Sequence, residues 1–263
     1  MKLQEGLNKC TNAEYHGDKS WLSSSSLKSL LKSPAAFKEE RDNPKTEVEN
    51  PNYTLGSFLH SLILEPDTIN EEYAFFEGMR KAGREYELFK EENKGKLIIS
   101  APQKSKCLAY KRAFEANPVA SGLLKGCETE YSICAKINDV GVKVRFDAIN
   151  LEDGYGLDLK TSSFGVDRES FKMTMQQFGY GLSAALYAWV AEIHFGRPFD
   201  FYMIPIAKQE LDCQVFRMSQ ETIMRGRSDI IKALDLYKKC CDTNIWPESS
   251  SVERKLQTEI EEI

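Results

Sequence analysis

The chain lacks most of the features that assign a protein quickly. Its seven cysteines are odd in number and include no C-x₂-C pair; Cys240 and Cys241 are adjacent and the rest are scattered. That spacing argues against a disulfide framework, a zinc ribbon or an iron–sulfur cluster, and fits reduced thiols in a cytoplasmic compartment. No apolar h-region follows Met1-Lys2, so no signal peptide is expected. The longest apolar stretch, residues 182–195, is too short to cross a bilayer and contains Glu192 and His194. No internal repeat or low-complexity tract is present. There is also no excess of positive charge: 35 Lys and Arg face 40 Asp and Glu, a net of −5. A nonspecific nucleic-acid coat protein would be basic. A nuclease remains open, because metal sites are acidic and a local basic groove can do the binding.

What is present describes a soluble globular chain. With 263 residues, 41% hydrophobic, it is long enough for one large domain with a substantial core. The expected organisation is an N-terminal arm over residues 1–21, a domain over 22–247 and a polar tail over 248–263. The tail carries five acids and two bases, so the body before it is close to neutral.

Residues 1–21 show no clear period and are expected to start as a loose arm. A serine run at 23–26 opens a helical segment that stops at Ser33-Pro34, and helix resumes through Arg41. Residues 42–53, with Pro44 and Pro51, read as a polar loop. Leu55, Phe58, Leu59, Leu62 and Ile63 then form a helical apolar stripe, with His60 beside it. A histidine so placed is more often a satisfied core residue than a ligand. Residues 77–95 are charged and broken by Gly78, Gly83 and Gly95. Their basic cluster, Arg80, Lys81 and Arg84, reads as a solvated mobile loop, with phosphate contact as the functional alternative. Residues 100–116 read as helix, and a shorter helix reaches Leu124.

The chemistry concentrates in residues 128–160, which contain three strand-like runs. In 142–149, Lys143, Arg145 and Asp147 point to one side and Val142, Val144 and Phe146 to the other. After the turn at Asp153-Gly154, Asp158 and Lys160 share a face opposite Leu157 and Leu159. If the strands pair as a meander, Asp147, Asp158 and Lys160 meet at one edge. Two carboxylates suit Mg²⁺, which takes one or two of them plus substrate phosphate. A metal so held polarises a phosphoryl oxygen, and the lysine can orient water or offset developing charge. An exposed hairpin carries Asp and Lys by default, so the pattern alone is weak. Residues 168–194 read as one long helix on which Gln176, Tyr180, Ser183 and Tyr187 form a polar-aromatic stripe. That stripe is either a half-buried face or a place to bind phosphate or stack a base. Two further strands, at 199–206 and 211–218, extend the sheet, and Ser219 opens a last helix to Cys241. The expected fold is α/β, with a mixed central β-sheet of about five strands. The helices through Leu124 should flank one side and those of 168–241 the other.

In this order the motifs resemble the PD-(D/E)XK nuclease superfamily and, within it, the RecE-type exonucleases of phages and prophages, whose namesake is exodeoxyribonuclease VIII. The similar segments are Gly56-Ser-Phe-Leu-His60 with Leu64-Glu65-Pro66, Glu130-Tyr-Ser132, Lys143-Val-Arg145-Phe-Asp147 and Asp158-Leu-Lys160-Thr161. Ser25-Ser26-Leu27-Lys28 with Ser33-Pro34 and Phe37 matches the usual N-terminal helix pattern, and Gln176-x-x-x-Tyr180 follows the strands. One departure is Phe146, where the superfamily's name expects proline. The resemblance covers roughly residues 22–246 and implies a restriction-endonuclease-like core. It implies that Asp147, Asp158 and the carbonyl of Leu159 bind Mg²⁺ (or Mn²⁺), with His60 as ligand or through water. Lys160 would hold the nucleophilic water, and Glu130 would bind metal through water or position Lys160. Gln176 and Tyr180 would steady the DNA backbone, with Arg145 a further substrate contact. The implied activity is 5′→3′ digestion of one strand of linear double-stranded DNA, leaving a 3′ single-stranded tail for a strand-annealing recombination protein. A homo-oligomeric ring, trimer or tetramer, in the cytoplasm of a bacterial host would go with it. The alternatives are a single-strand exonuclease or structure-specific endonuclease on the same fold, a non-catalytic recombination scaffold, or a hydrolase of small phosphates.

Overall fold

A computed structural model of the protein describes residues 2–44 and 51–248. The 45–50 part of the expected loop and the tail from residue 249 lie outside the described residues. In chain order the elements are β1 (Gly6–Asn8), α1 (Asn12–Gly17), α2 (Ser24–Lys32), α3 (Pro34–Asp42), α4 (Pro51–Leu64), α5 (Ile69–Glu72), β2 (Tyr73–Phe76), α6 (Arg84–Glu92), β3 (Leu97–Ser100), α7 (Ala101–Ala116) and α8 (Pro118–Leu123). The second half adds β4 (Glu128–Ile137), β5 (Val140–Asn150), β6 (Tyr155–Ser162), α9 (Arg168–Phe178), α10 (Tyr180–Phe195), β7 (Asp200–Ala207), β8 (Phe216–Arg217) and α11 (Gln220–Thr243).

The three runs expected in residues 128–160 are β4, β5 and β6, the middle of a six-stranded mixed sheet ordered β1-β4-β5-β6-β7-β8. β4 and β5 make a long antiparallel hairpin, turned at Asn138 and Asp139. Both turn residues have positive φ, as a tight turn matched to strand twist requires. β5 and β6 pair only from Ala148↔Leu157 to Asn150↔Tyr155. Beyond that they part, and β6 runs parallel to β7 along its whole length. A parallel pair needs a crossover, and α9 and α10 supply it. Further along β5, Leu22 forms a parallel bridge with Val142. Its N–H donates to Gly141 at 2.9 Å and its carbonyl accepts from Lys143 at 2.9 Å.

Alternation along β7 separates two cores, one on each face of the sheet. Phe201 and Met203 join a cluster with α10 and α11, while Ile204 and Ile206 join one with α4, α7 and α8. The expected division of helices needs a correction. Leu27, Leu30 and Phe37 place α2 and α3 on the α10–α11 side, not with the other N-terminal helices. Their apolar stripe is completed by Tyr237 and Trp246, whose rings meet Phe37.

Three other expectations change. The N-terminal arm is tied down: β1 pairs with β4, and Tyr15 of α1 is buried. Capping by Thr11 and Glu14, which close a reciprocal capping box, lets so short a helix form. Residues 77–95 contain α6, held by Tyr86 and Phe89 against Phe76, and β2 pairs in parallel with β3. The single helix expected over 168–194 is two, broken at Gly179 in the left-handed conformation (φ 61, ψ 39). Among the described residues no helix is long and apolar enough to cross a membrane, and all seven cysteines are unbridged.

Candidate metal centre at the strand fork

The fork places chemistry where the β5–β6 ladder stops. Asp147 follows in register from Ala148↔Leu157 and would pair next with Asp158, but the strands have already separated. Instead the carboxylate itself bridges the gap, Leu159 N–H donating to Asp147 Oδ2 at 2.6 Å. On β4, the Glu130–Asp147 step is likewise missing from an otherwise regular register, and Glu130 has φ 51. A glutamate in that conformation costs about 1–2 kcal/mol, and strain of this kind collects at functional sites. α4 contributes His60. Its Nε2 lies 3.1 Å from the Leu159 carbonyl oxygen and its Nδ1 3.6 Å from Asp147 Oδ2. One atom each of His60, Glu130 and Asp147 lie within 4.8 Å of one another.

Asp158 and Lys160 follow on β6, both turned away from Leu157 and Leu159. They form an ion pair, and Lys160 Nζ is also 3.5 Å from the Leu159 carbonyl oxygen. Asp158 is only 8% exposed. Its Oδ2 is buried and faces the Lys160 ammonium. Carboxylates, a backbone carbonyl and one imidazole together fit a hard divalent ion such as Mg²⁺ or Mn²⁺.

Burial raises the Asp147 carboxyl to about 6. Asp158 and Glu130 push the same way, while His60 and Lys160 oppose them. Burial disfavours the Lys160 ammonium, but Asp158 and Asp147 outweigh it and hold the group charged above its usual range. Lys160 is therefore a proton-bearing cation at neutral pH, able to donate hydrogen bonds but not to act as a base.

The fold thus brings together six of the expected residues: His60, Glu130, Asp147, Asp158, Leu159 and Lys160. Tyr180 is next to them, its ring centroid 5.8 Å from Lys160 Nζ. Gln176 is exposed on the last turn of α9, and among the described residues its side chain makes no hydrogen bond to the cluster. Arg145 is a correction. Its guanidinium is turned inward, ion-paired with Glu130 and donating to the Cys10 carbonyl at 3.0 Å, with Tyr15 over it. It orients Glu130 instead of facing a substrate, because α1 covers that part of β5. Glu130, in turn, is paired with Arg145 and not with Lys160. The Phe146 departure has a packing cause. The ring fills the space above Gly156, where a Cβ would lie 2.5 Å from it, and meets Tyr187 and Phe201.

Three further residues lie near the site, of which only Tyr187, in the polar-aromatic stripe, carried a role in the sequence. Lys28 reaches it from α2. Half-buried Glu65 follows α4, its carboxyl raised by burial and by Glu130. The phenol of Tyr187, raised by burial, lies within the fields of Asp158 and Asp147. Glu65 had a signal, the Glu-Pro step five residues after His60. Lys28 had none beyond its helix.

Comparison with known proteins bears on the fold and the family. A solved protein of Eubacterium rectale, provisionally named an exonuclease, superposes with a TM-score of 0.68. The alignment covers 92% of this chain and 90% of that one at 13% identity, a likeness of fold. A phage-related exonuclease of Haemophilus somnus 129PT aligns over 86% of this chain and 96% of its own, at 10% identity and a TM-score of 0.39. No curated protein matches the sequence. Residues 23–254 match the family described as "PDDEXK-like domain of unknown function (DUF3799)", and the chain belongs to that family.

Proposed function

We propose that the protein is a divalent-metal-dependent exodeoxyribonuclease of RecE type. It degrades one strand of linear double-stranded DNA 5′→3′ and leaves a 3′ single-stranded tail for an annealing recombination protein. The observation that carries this is the fork itself: Asp147 and Asp158 from two separating strands, with Lys160 beside them and His60 above. Asp147, Asp158, the Leu159 carbonyl and His60 would hold Mg²⁺ (or Mn²⁺), which when bound supplies Lewis acidity to a phosphoryl oxygen and a more acidic water. Lys160, kept protonated, orients a water by donating to it and offsets charge that builds on the phosphorus oxygens. Glu130, fixed by Arg145, adds negative charge on the other side of the site. Tyr180 borders Lys160 and limits where a backbone can lie. The RecE-type reading also includes a ring of three or four copies around the DNA and a bacterial cytoplasm as the setting.

The test compares linear duplexes labelled at either 5′ or 3′ ends with covalently closed circles, in Mg²⁺. Early release of the 5′ label with intact circles supports the reading. Ready cutting of circles would instead favour an endonuclease, and preference for single strands a single-strand exonuclease. Lys160→Ala should abolish hydrolysis while binding persists. An unchanged rate would end the site assignment, and a wild type inert on every DNA would leave the scaffold reading.

A further inference from the structure

None of the hydrogen-bond partners of Lys28, beside Lys160 at the fork, is an acid. Its Nζ donates to the Phe178 carbonyl and to Ser183 Oγ, each at 3.1 Å. It lies 5.8 Å from the centroid of the Tyr180 ring, and Lys160 Nζ lies 5.8 Å from the same centroid. Two ammoniums thus share one aromatic ring beside Asp158. Lys160 has that carboxylate as counter-charge, whereas Lys28 makes no ion pair among the described residues. Burial and repulsion from Lys160 both disfavour its charge, and Asp158 only partly compensates. The stem is fixed as well: it packs on Gly179, where a Cβ would lie 2.9 Å from Lys28 Cδ. Next to it Phe178 is 46% exposed and stacks on Tyr180 at 5.7 Å and 23°. A fixed cation without a counter-ion, beside an apolar ring, is suited to a nucleotide's phosphate and base.

Resting on the nuclease reading above, we propose that Lys28 contacts the DNA backbone. Its third N–H takes an oxygen of a phosphate neighbouring the one at the metal centre, and Phe178 lies under that nucleotide. Lys160 is thereby left to the reacting group. The competing role is a strut, in which Lys28 only ties α2 to the carbonyl end of α9.

Salt dependence separates the two, because each neutralised phosphate releases counter-ions. A short fluorescein-labelled linear duplex is titrated with protein across a KCl series, with Ca²⁺ in place of Mg²⁺. Lys28→Met keeps most of the stem and removes the charge, and Lys28→Arg keeps the charge. Lys28→Met should flatten the slope of log K against log[salt] by about 0.7–0.9. In Mg²⁺ it should raise KM more than it lowers kcat. Lys28→Arg should hold the wild-type slope. A wild-type slope in Lys28→Met, even with a lowered melting temperature, overturns the contact and leaves the strut. Wild-type protein that neither binds the duplex in a salt-dependent way nor cuts it overturns the nuclease reading, and this proposal with it.

Discussion

Asp147 is an acid that the metal-free fold disfavours in its charged form. Its carboxyl is raised to about 6, first by burial, against about 4 in an unfolded chain. Between those values the native state keeps a proton that the unfolded chain has released. Stability from this group is therefore full below about pH 4 and is lost as pH rises through about 6. Asp147→Asn removes the titration and keeps an oxygen to accept from Leu159 N–H. In EDTA at pH 7 the variant should be more stable than wild type by roughly 1–3 kcal/mol, read from urea midpoints. The gap should open between pH 4 and 6 and stay level above 7. A gap of the opposite sign would show that Asp147 is ionised without metal. The same variant should not hydrolyse DNA. One residue thus carries a stability cost that a bound cation would remove.

At the level of elements, what was legible in the sequence was local. The alternation of β5 and β6 and the turn at Gly154 are enough to place Asp147, Asp158 and Lys160 on a common edge. The length over which the strands pair was not legible, because it depends on β7 capturing β6 from across a 37-residue crossover. Burial of Arg145 was hidden for the same reason: α1 closes over it from far away in sequence. His60 looked like a core residue by position, and only the motif order raised it. The break between α9 and α10 was not read from the sequence, because the stripe from Gln176 to Tyr187 keeps helical spacing through Gly179. Gly179 is needed there twice over, for φ 61 and for the Lys28 stem. Gly179→Ala should cost about 1–2 kcal/mol through φ alone, seen as a lower melting temperature. Lys28→Ala in the same chain should recover part of that loss by freeing the space. If the single variant melts like wild type, the helix break does not depend on glycine.

For the whole molecule, the fork is where three separately held pieces converge. α4 brings His60 from one core, β5 brings Asp147 from the central hairpin, and β6 brings Asp158 from the parallel half of the sheet. Only three residue pairs join β5 to β6, so a cation held between their carboxylates would add a tie that the ladder lacks. A ligand that binds only the native state adds about 2.7 kcal/mol at a hundred times its Kd. A chain of this size gains about 2–4 °C per kcal/mol, so saturating Mn²⁺ at pH 7 should raise Tm by about 5–10 °C. Asp158→Asn should remove most of that shift, since it takes away a ligand oxygen. Lys160→Ala should keep the shift or enlarge it, because the ammonium competes with the ion for Asp158. It should nevertheless be inactive. This pair of variants separates holding the metal from using it. Were the Tm shift the same in Asp158→Asn as in wild type, the ion would be bound elsewhere, and the fork would lose its claim to be the metal centre.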